Sequence, residues 1–348
     1  MNAESGSYDS ADVRFLLKPV VLAPTAVAAK ERLIQSGTRH YSEMIGREAI
    51  PDPAYLALYA AAERRNRARL AQDVTNLAAA LAERAAGREV VLASLARAGT
   101  PIGVLLARRL RLLGKATFHY SLSIIRDRGI DREALRFIAA RHDPRDVVFV
   151  DGWTGKGTIA AELHASLVDA RLGFSPVLAV IADPAGAADY AATADDYLIA
   201  SGLLNAIVSG LVSRSILSDQ TVGPGDFHAC VHYPEWHAHD RSRAFVDAVD
   251  AAARELTPIP LPVQDRSALR AGCGRMIADL MQRTGTIDRN RIKPGIAEAT
   301  RAFLRRVPDR LFLREPDDPD VAHLVHLAEQ ARVPAERLAA GAYRAVAG

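Results

Sequence analysis

Residues 151–158, Asp-Gly-Trp-Thr-Gly-Lys-Gly-Thr, follow four apolar residues, Val147 to Val150, and lead into the helix-like stretch TIAAEL. Gly152, Gly155 and Gly157 let an anion approach the backbone. The first turn of a following helix offers unpaired N–H groups and a partial positive charge. Phosphate is the guest that suits such a loop. The Lys156-Gly157-Thr158 ending invites comparison with a nucleoside-triphosphatase P-loop, but only two residues separate Gly152 from Gly155-Lys156 where that motif has four, so that reading is set aside.

Two earlier loops share this character. Arg97-Ala98-Gly99-Thr100 joins a small-residue turn to one cation, and Arg126-Asp127-Arg128-Gly129 forms a charged tip that looks mobile. Phosphate-friendly loops after three successive strands suggest a ligand with several phosphates. Further upstream, SGTRHYSEMI packs His40 and Tyr41 into a polar, aromatic cluster that caps a site or is a plain surface turn. In DFHACVHYPEWHAHD, His228, His232, His237, His239 and Asp240 crowd around Cys230; a metal site, a thiol nucleophile and a purely structural strand edge are all open there.

Positioning three such loops requires a parallel sheet, since ligands sit beyond the carboxyl ends of its strands. The sequence supplies one. After Gly87, the runs EVVLASL, TFHYSLSII, VVFV, PVLAVIAD and DDYLIAS alternate with helical stretches, the signature of a sheet covered by helices on both faces. Ahead of them, a helix runs from Asp52-Pro53 to Gly87, with Arg64, Arg65, Arg67 and Arg69 as a solvated face; the first 50 or so residues, broken by Pro19, Pro24, Gly37 and Gly46, read as an irregular arm. The expected fold is α/β: a helical N-terminal arm over 1–87, a parallel-sheet domain over 88–257, a linker over 258–290 around the proline-rich LTPIPLPV, and a small C-terminal α/β module over 291–348.

The 348 residues carry a formal net charge of +3, mildly basic and short of a protein that coats nucleic acid. Two cysteines give neither a disulfide framework nor a zinc quartet, which fits a cytoplasmic location. The first residues lack the pattern of a signal peptide, and no apolar run is long enough to span a bilayer, so a membrane is not expected as a partner. A homodimer is possible.

The three loops, in this order, resemble the type I phosphoribosyltransferases. That resemblance implies 5-phosphoribosyl-1-pyrophosphate and an unidentified base as substrates, with Mg²⁺ as cofactor. It implies that Asp151 orients the ribose hydroxyls, with the Mg²⁺ reached through the ribose, and that Gly152 to Thr158 (Trp153, Thr154, Gly155, Lys156 and Gly157 between them) grip the 5-phosphate. Arg97, Ala98, Gly99 and Thr100 would hold pyrophosphate, Arg126 and Arg128 would close a flap, and His40, Tyr41 and Trp153 could meet the base. More closely, SGTRHYSEMI, SLARAGTPIGVLL, HYSLSIIRDRGID, FVDGWTGKGTIAAEL and SGLVSRS resemble the phosphoribosyltransferase-like StiP family of bacterial tellurium-resistance and stress operons. In that family a pelota-like RNA-binding module follows, and residues 291–334 resemble it, with Lys293, Gly295, Glu298, Thr300 and Arg301 as RNA-contact candidates. Gly152 stands where the transferases have a second acid, and Ala297 where the RNA modules commonly have an asparagine. Two rival classes stay open: a nucleotide- or RNA-binding sensor without turnover, and a cysteine protease, as the family's name has it.

Overall fold

The computed structural model describes residues 4–305, 307–339 and 341–348, with the side chains at 27, 28, 31 and 35 left aside. Two short strands come first, β1 (Arg14–Leu16) and β2 (Lys18–Pro19), then helices α1 (Val27–Gln35) and α2 (Pro53–Arg84). α2 begins where the sequence places it, with the Asp52 carboxylate accepting from the Tyr55 N–H at 2.8 Å and Pro53 in the first turn.

The alternating region forms β3 (Val90–Ala96), α3 (Gly99–Leu112), β4 (Thr117–Ile125), β5 (Gly129–Ile130), α4 (Arg132–Ala139), β6 (Val147–Trp153), α5 (Thr158–Ala170), β7 (Leu178–Ala182) and β8 (Tyr190–Thr193). The strands lie in the order β1-β4-β3-β6-β7-β8, every neighbour parallel, while β5 folds back antiparallel on β4. Side chains alternate across this sheet: Val148 and Val150 enter one core, Val147 and Phe149 the other, and all four are buried. The fold class is the α/β arrangement expected. The opening segment, expected as an irregular arm, contributes the edge strand β1; three residues, Arg14 to Leu16, are too short for period-2 alternation to register.

β9 (Ala229–Cys230) pairs with β2, and α6 (Ser242–Ala253) packs on α2. Next comes α7 (Arg266–Thr284), so the stretch expected as a linker over 258–290 carries a 19-residue helix. Gly272 and Gly274 in its middle hid it. The C-terminal module is β10 (Lys293–Pro294), α8 (Ile296–Arg305), β11 (Leu311–Leu313), α9 (Ala322–Ala331), β12 (Ala335–Arg337) and β13 (Ala345–Ala347), a sheet in the order β10-β13-β11-β12. One face of it takes Cys273, Ile277 and Leu280 of α7; from the other, Ile296, Ala299, Leu311 and Leu324 join the same core as Tyr55, Val150 and Leu203.

An ionic clamp reinforces this junction. Arg344 binds Asp195 at 2.5 Å, Asp318 at 3.0 Å and Asp320 at 3.2 Å, while Asp320 also takes Arg65 at 3.1 Å. Arg69 reaches Asp195 at 2.9 Å. Arg65 and Arg69 are therefore not a solvated face but half of this clamp, a pairing more than a hundred residues apart that no local pattern could announce. Among the described residues no helix is long and apolar enough to cross a membrane.

Candidate functional site

β6 ends at the glycine loop and α5 starts beyond it. Gly157, at φ +79°, sits in the left-handed region and serves as the residue before the helix, so the N–H groups of the first turn turn outward. A cavity of about 340 Å³ opens over them, lined by the loop from Trp153 to Thr158, by Tyr41 and Arg126, and by Lys293, Glu298, Arg301 and Arg305 of the C-terminal module. The loop residues the sequence singled out are thus brought together. What the sequence could not supply is the other wall, which comes from α8.

Asp151 lies at the base of this cleft, its carboxylate accepting from the Gly152 N–H at 2.8 Å. Burial pushes its carboxyl up to about 6 against the opposing pull of Arg301. The Trp153 indole donates to Glu298 at 3.4 Å, and the Arg301 guanidinium lies 4.7 Å from its ring centroid. Burial works against ionisation of Glu298, but Arg301, Lys293 and Arg305 together hold it below its ordinary value. Lys156 reaches the carbonyls of Arg289 and Ile292 at 2.6 and 3.1 Å; burial, then Lys293 and Arg289, push it down to about 8. The Thr154 hydroxyl is committed to Asp183 at 2.5 Å, so it fixes the loop and does not face a ligand.

Several expected contacts are absent. Arg97 is buried, paired with Glu48 at 2.7 Å and donating to the Val212 carbonyl at 2.8 Å, so it does not present a charge for pyrophosphate. Gly99 and Thr100 open α3 as buried residues behind a half-buried Ala98, with Thr100 bonded to Ser121 at 2.8 Å. The tip expected to be a mobile flap is pinned: the Arg126 N–H donates to the Tyr41 hydroxyl at 3.0 Å, Arg128 pairs with Glu43 at 3.0 Å, and the Asp127 N–H donates to Glu162 at 2.9 Å. His40 turns to Ser42 at 2.8 Å, whereas Tyr41 reaches the cleft between Arg126 and Arg214. A Mg²⁺ here would depend on Asp151 and on oxygens of the ligand: Glu298 is tied to Trp153 and Arg301, and among the described residues no three His, Cys, Asp or Glu groups converge on a cation. The histidine-rich stretch follows suit, with His228 bonded to Ser123 at 2.8 Å.

The RNA-contact candidates are turned inward. Gly295, at φ +95°, leads into α8, whose Ile296 N–H donates to the buried Asp196 carboxylate at 3.1 Å; Thr300 is fully buried and bonded to His323 at 2.7 Å. Gly295, Glu298 and Thr300 therefore face the sheet domain or the module's own core, and Lys293 and Arg301 line the cleft. The sequence reading opened a strand at Asp195-Asp196, but β8 ends before them at Thr193 and both carboxylates turn to the C-terminal module; like Asp183, which holds Thr154, they get their partners only from packing.

The thiols are both enclosed. Burial pushes Cys230 up to about 12. Cys273 borders a second cavity, of about 390 Å³, together with Lys156, Arg270 and Arg289; burial raises its thiol, while the neighbouring Tyr343 hydroxyl and the charges of Arg289 and Lys156 oppose that rise.

A family model described as "Tellurite-like stress resistance cysteine protease StiP" matches residues 6–250, and one for the PELOTA RNA binding domain matches 272–347. The chain belongs to the StiP family. A curated relative from Acinetobacter baylyi (strain ATCC 33305 / BD413 / ADP1), "Cysteine protease StiP", is 43% identical over 345 residues, covering 95% of this chain and 90% of that protein. Two solved structures are similar at low level. One, described as the analysis of an invariant aspartic acid in HPRTs, is 14% identical and covers 49% of this chain and 93% of its own at a TM-score of 0.31. The other, a hypoxanthine phosphoribosyltransferase mutant from Trypanosoma cruzi with the product IMP, is 15% identical and covers 54% and 92% at 0.30. The StiP family is named for an enzyme, but a protease. The expectation of a transferase using phosphoribosyl pyrophosphate and magnesium is therefore corrected, and Arg97 facing Glu48 removes part of the chemistry it called on.

Proposed function

We propose that this member of the StiP family is an enzyme whose substrate or effector enters the cleft between the sheet domain and the C-terminal module as a compact anion, a phosphate ester above all. One observation carries the reading: the outward N–H groups at the start of α5 face a cavity whose rim holds Arg126, Lys156, Lys293, Arg301 and Arg305 against Asp151 and Glu298. Positive charge exceeds negative there, and burial is already holding the Asp151 carboxyl towards its neutral form. Inorganic phosphate and ADP are expected to bind the full chain, measured by calorimetry. Gly157→Val should weaken both by on the order of 10–100-fold, the loss of a charge-assisted contact, with circular dichroism unchanged. A folded variant that binds normally removes the loop from the site.

The family's name supports a second reading, proteolysis by a thiol. Cys230 lies within the matched residues 6–250 and Cys273 outside them, but Cys273 borders a cavity and has Lys156 and Arg289 beside it to favour a thiolate against burial. The thiolate would add to the scissile carbonyl, the amine would leave with a proton from water, and a water molecule would then hydrolyse the thioester to release the acid and restore the thiol. Casein hydrolysis, if it runs through this group, is expected to fall on the order of a thousandfold or more in Cys273→Ser, as for removal of a nucleophile, and to persist in Cys230→Ser. Cleavage that survives Cys273→Ser excludes this assignment.

A further inference from the structure

A third cavity, of about 270 Å³, lies behind the cleft, and Lys30, Arg214 and Arg305 line both. Its character differs from the first. Leu203, Leu204, Ile207, Leu304 and Leu327 make one wall, and Trp236 stands among them, fixed by stacking on Tyr233 at 4.3 Å between centroids and 13° between planes. The carboxylates present are committed elsewhere: Glu48 to Arg97 at 2.7 Å and to the Ala206 N–H at 3.2 Å, Asp52 to the Tyr55 N–H at 2.8 Å.

The threshold between the two spaces carries two guanidinium groups, Arg214 and Arg305, whose hydrogen-bonding capacity is not fully used among the described residues, with Glu298 as the nearby counter-charge on the cleft side. Arg214 uses Nη2 on the carbonyls of Tyr41 and Met44, while its Nη1 is buried and takes no hydrogen bond among the described residues. The Arg305 guanidinium makes no direct hydrogen bond or ion pair among the described residues, though Glu298 attracts it. More than a third of Arg305 remains open to water, yet the surrounding protein, together with Arg301, Arg97 and Arg214, pushes its guanidinium down to about 9. A buried guanidinium nitrogen such as Arg214 Nη1 is costly beside an apolar wall unless an anion meets it, and the half-open Arg305 stands beside it as a second donor.

Building on the anion cleft proposed above, we infer that the two cavities are compartments of one site, and that its ligand is a phosphate ester bearing an apolar body. The phosphate lies at the α5 end within reach of Arg214 and Arg305, and the body lies along Leu204, Ile207, Leu304 and Trp236.

Hexyl phosphate and inorganic phosphate are the probes. In the full chain hexyl phosphate is expected to bind at least tenfold tighter by calorimetry, and Leu304→Trp, which fills the rear compartment, should abolish that gain while leaving inorganic phosphate affinity unchanged. Leu327→Trp provides the same test should Leu304→Trp fail to fold. The chain has two tryptophans, so the emission change that hexyl phosphate causes beyond that of inorganic phosphate should vanish in Trp236→Phe. Equal affinities, or a gain that survives both filling variants, overturn the bipartite site and leave the cleft standing. If neither anion binds, or both bind undiminished in Gly157→Val, the cleft reading itself falls and takes this one with it.

Discussion

Asp320→Ala is expected to destabilise the protein by about 3–5 kcal/mol, the usual cost of removing one partner from a buried ion pair. Asp320 is 5% exposed and answers to four groups: Arg65 at 3.1 Å, Asn66 at 2.8 Å, the Leu198 N–H at 3.1 Å and Arg344 at 3.2 Å. Those groups come from α2, from the segment after β8 and from the last turn before β13. Alanine leaves Arg344 with Asp195 and Asp318 but strips the Leu198 N–H and one Asn66 donor inside the protein. Asp320→Asn, which keeps an acceptor and loses the charge, should cost less. The measurement is the urea midpoint at constant slope. A shift equivalent to under about 1 kcal/mol, the range of exposed pairs, would show that the clamp contributes no more than a surface contact.

The clamp also shows where sequence reading stops. Strand-loop-helix order is a local property: Val147 to Val150 alternate between two cores, Gly157 needs a left-handed backbone, and both facts follow from residues adjacent in the chain. The class of fold and the position of the glycine loop were therefore readable. Side-chain commitment is not local. Arg97 looks like a phosphate ligand in its loop until Glu48, 49 residues earlier, claims it, and Arg65 looks solvated until Asp320 arrives 255 residues later. Glu298 and Arg301 read as RNA contacts from their motif, yet α8 lays them on Trp153 and makes them a wall of the cleft. Arg306, a further basic residue of that stretch of sequence, lies outside the described residues. Arg214 was visible only as part of a family-like stretch, and nothing in SGLVSRS announces that it divides two cavities.

A chain ending at Thr284 is expected not to fold, contrary to what the proline-rich stretch before α7 suggests from sequence. Separate modules tolerate such cuts because few contacts cross between them. Here the cut removes the N–H groups of Ile296 and Arg344 that satisfy the buried Asp196 carboxylate, and every C-terminal member of the clamp, Asp318, Asp320 and Arg344. It uncovers Trp153 and the apolar surface from Tyr197 to Leu204 that now shares a core with Ile296, Ala299 and Leu324, and it leaves Ile277 and Leu280 of α7 without Phe312 and Val346. Each large apolar side chain returned to water costs about 1.5–3 kcal/mol, and one unsatisfied buried carboxylate adds about 1–3 kcal/mol or more, against a total stability of about 5–15 kcal/mol for a typical protein. Gel filtration and a urea transition of the truncated chain decide the matter. A soluble monomer with a cooperative transition would make the module a separable recruit, free to turn the Gly295-to-Arg301 face towards RNA. Aggregation or a featureless transition makes it one wall of the cleft and part of one core, in which case that face meets an RNA strand only after the protein has come apart.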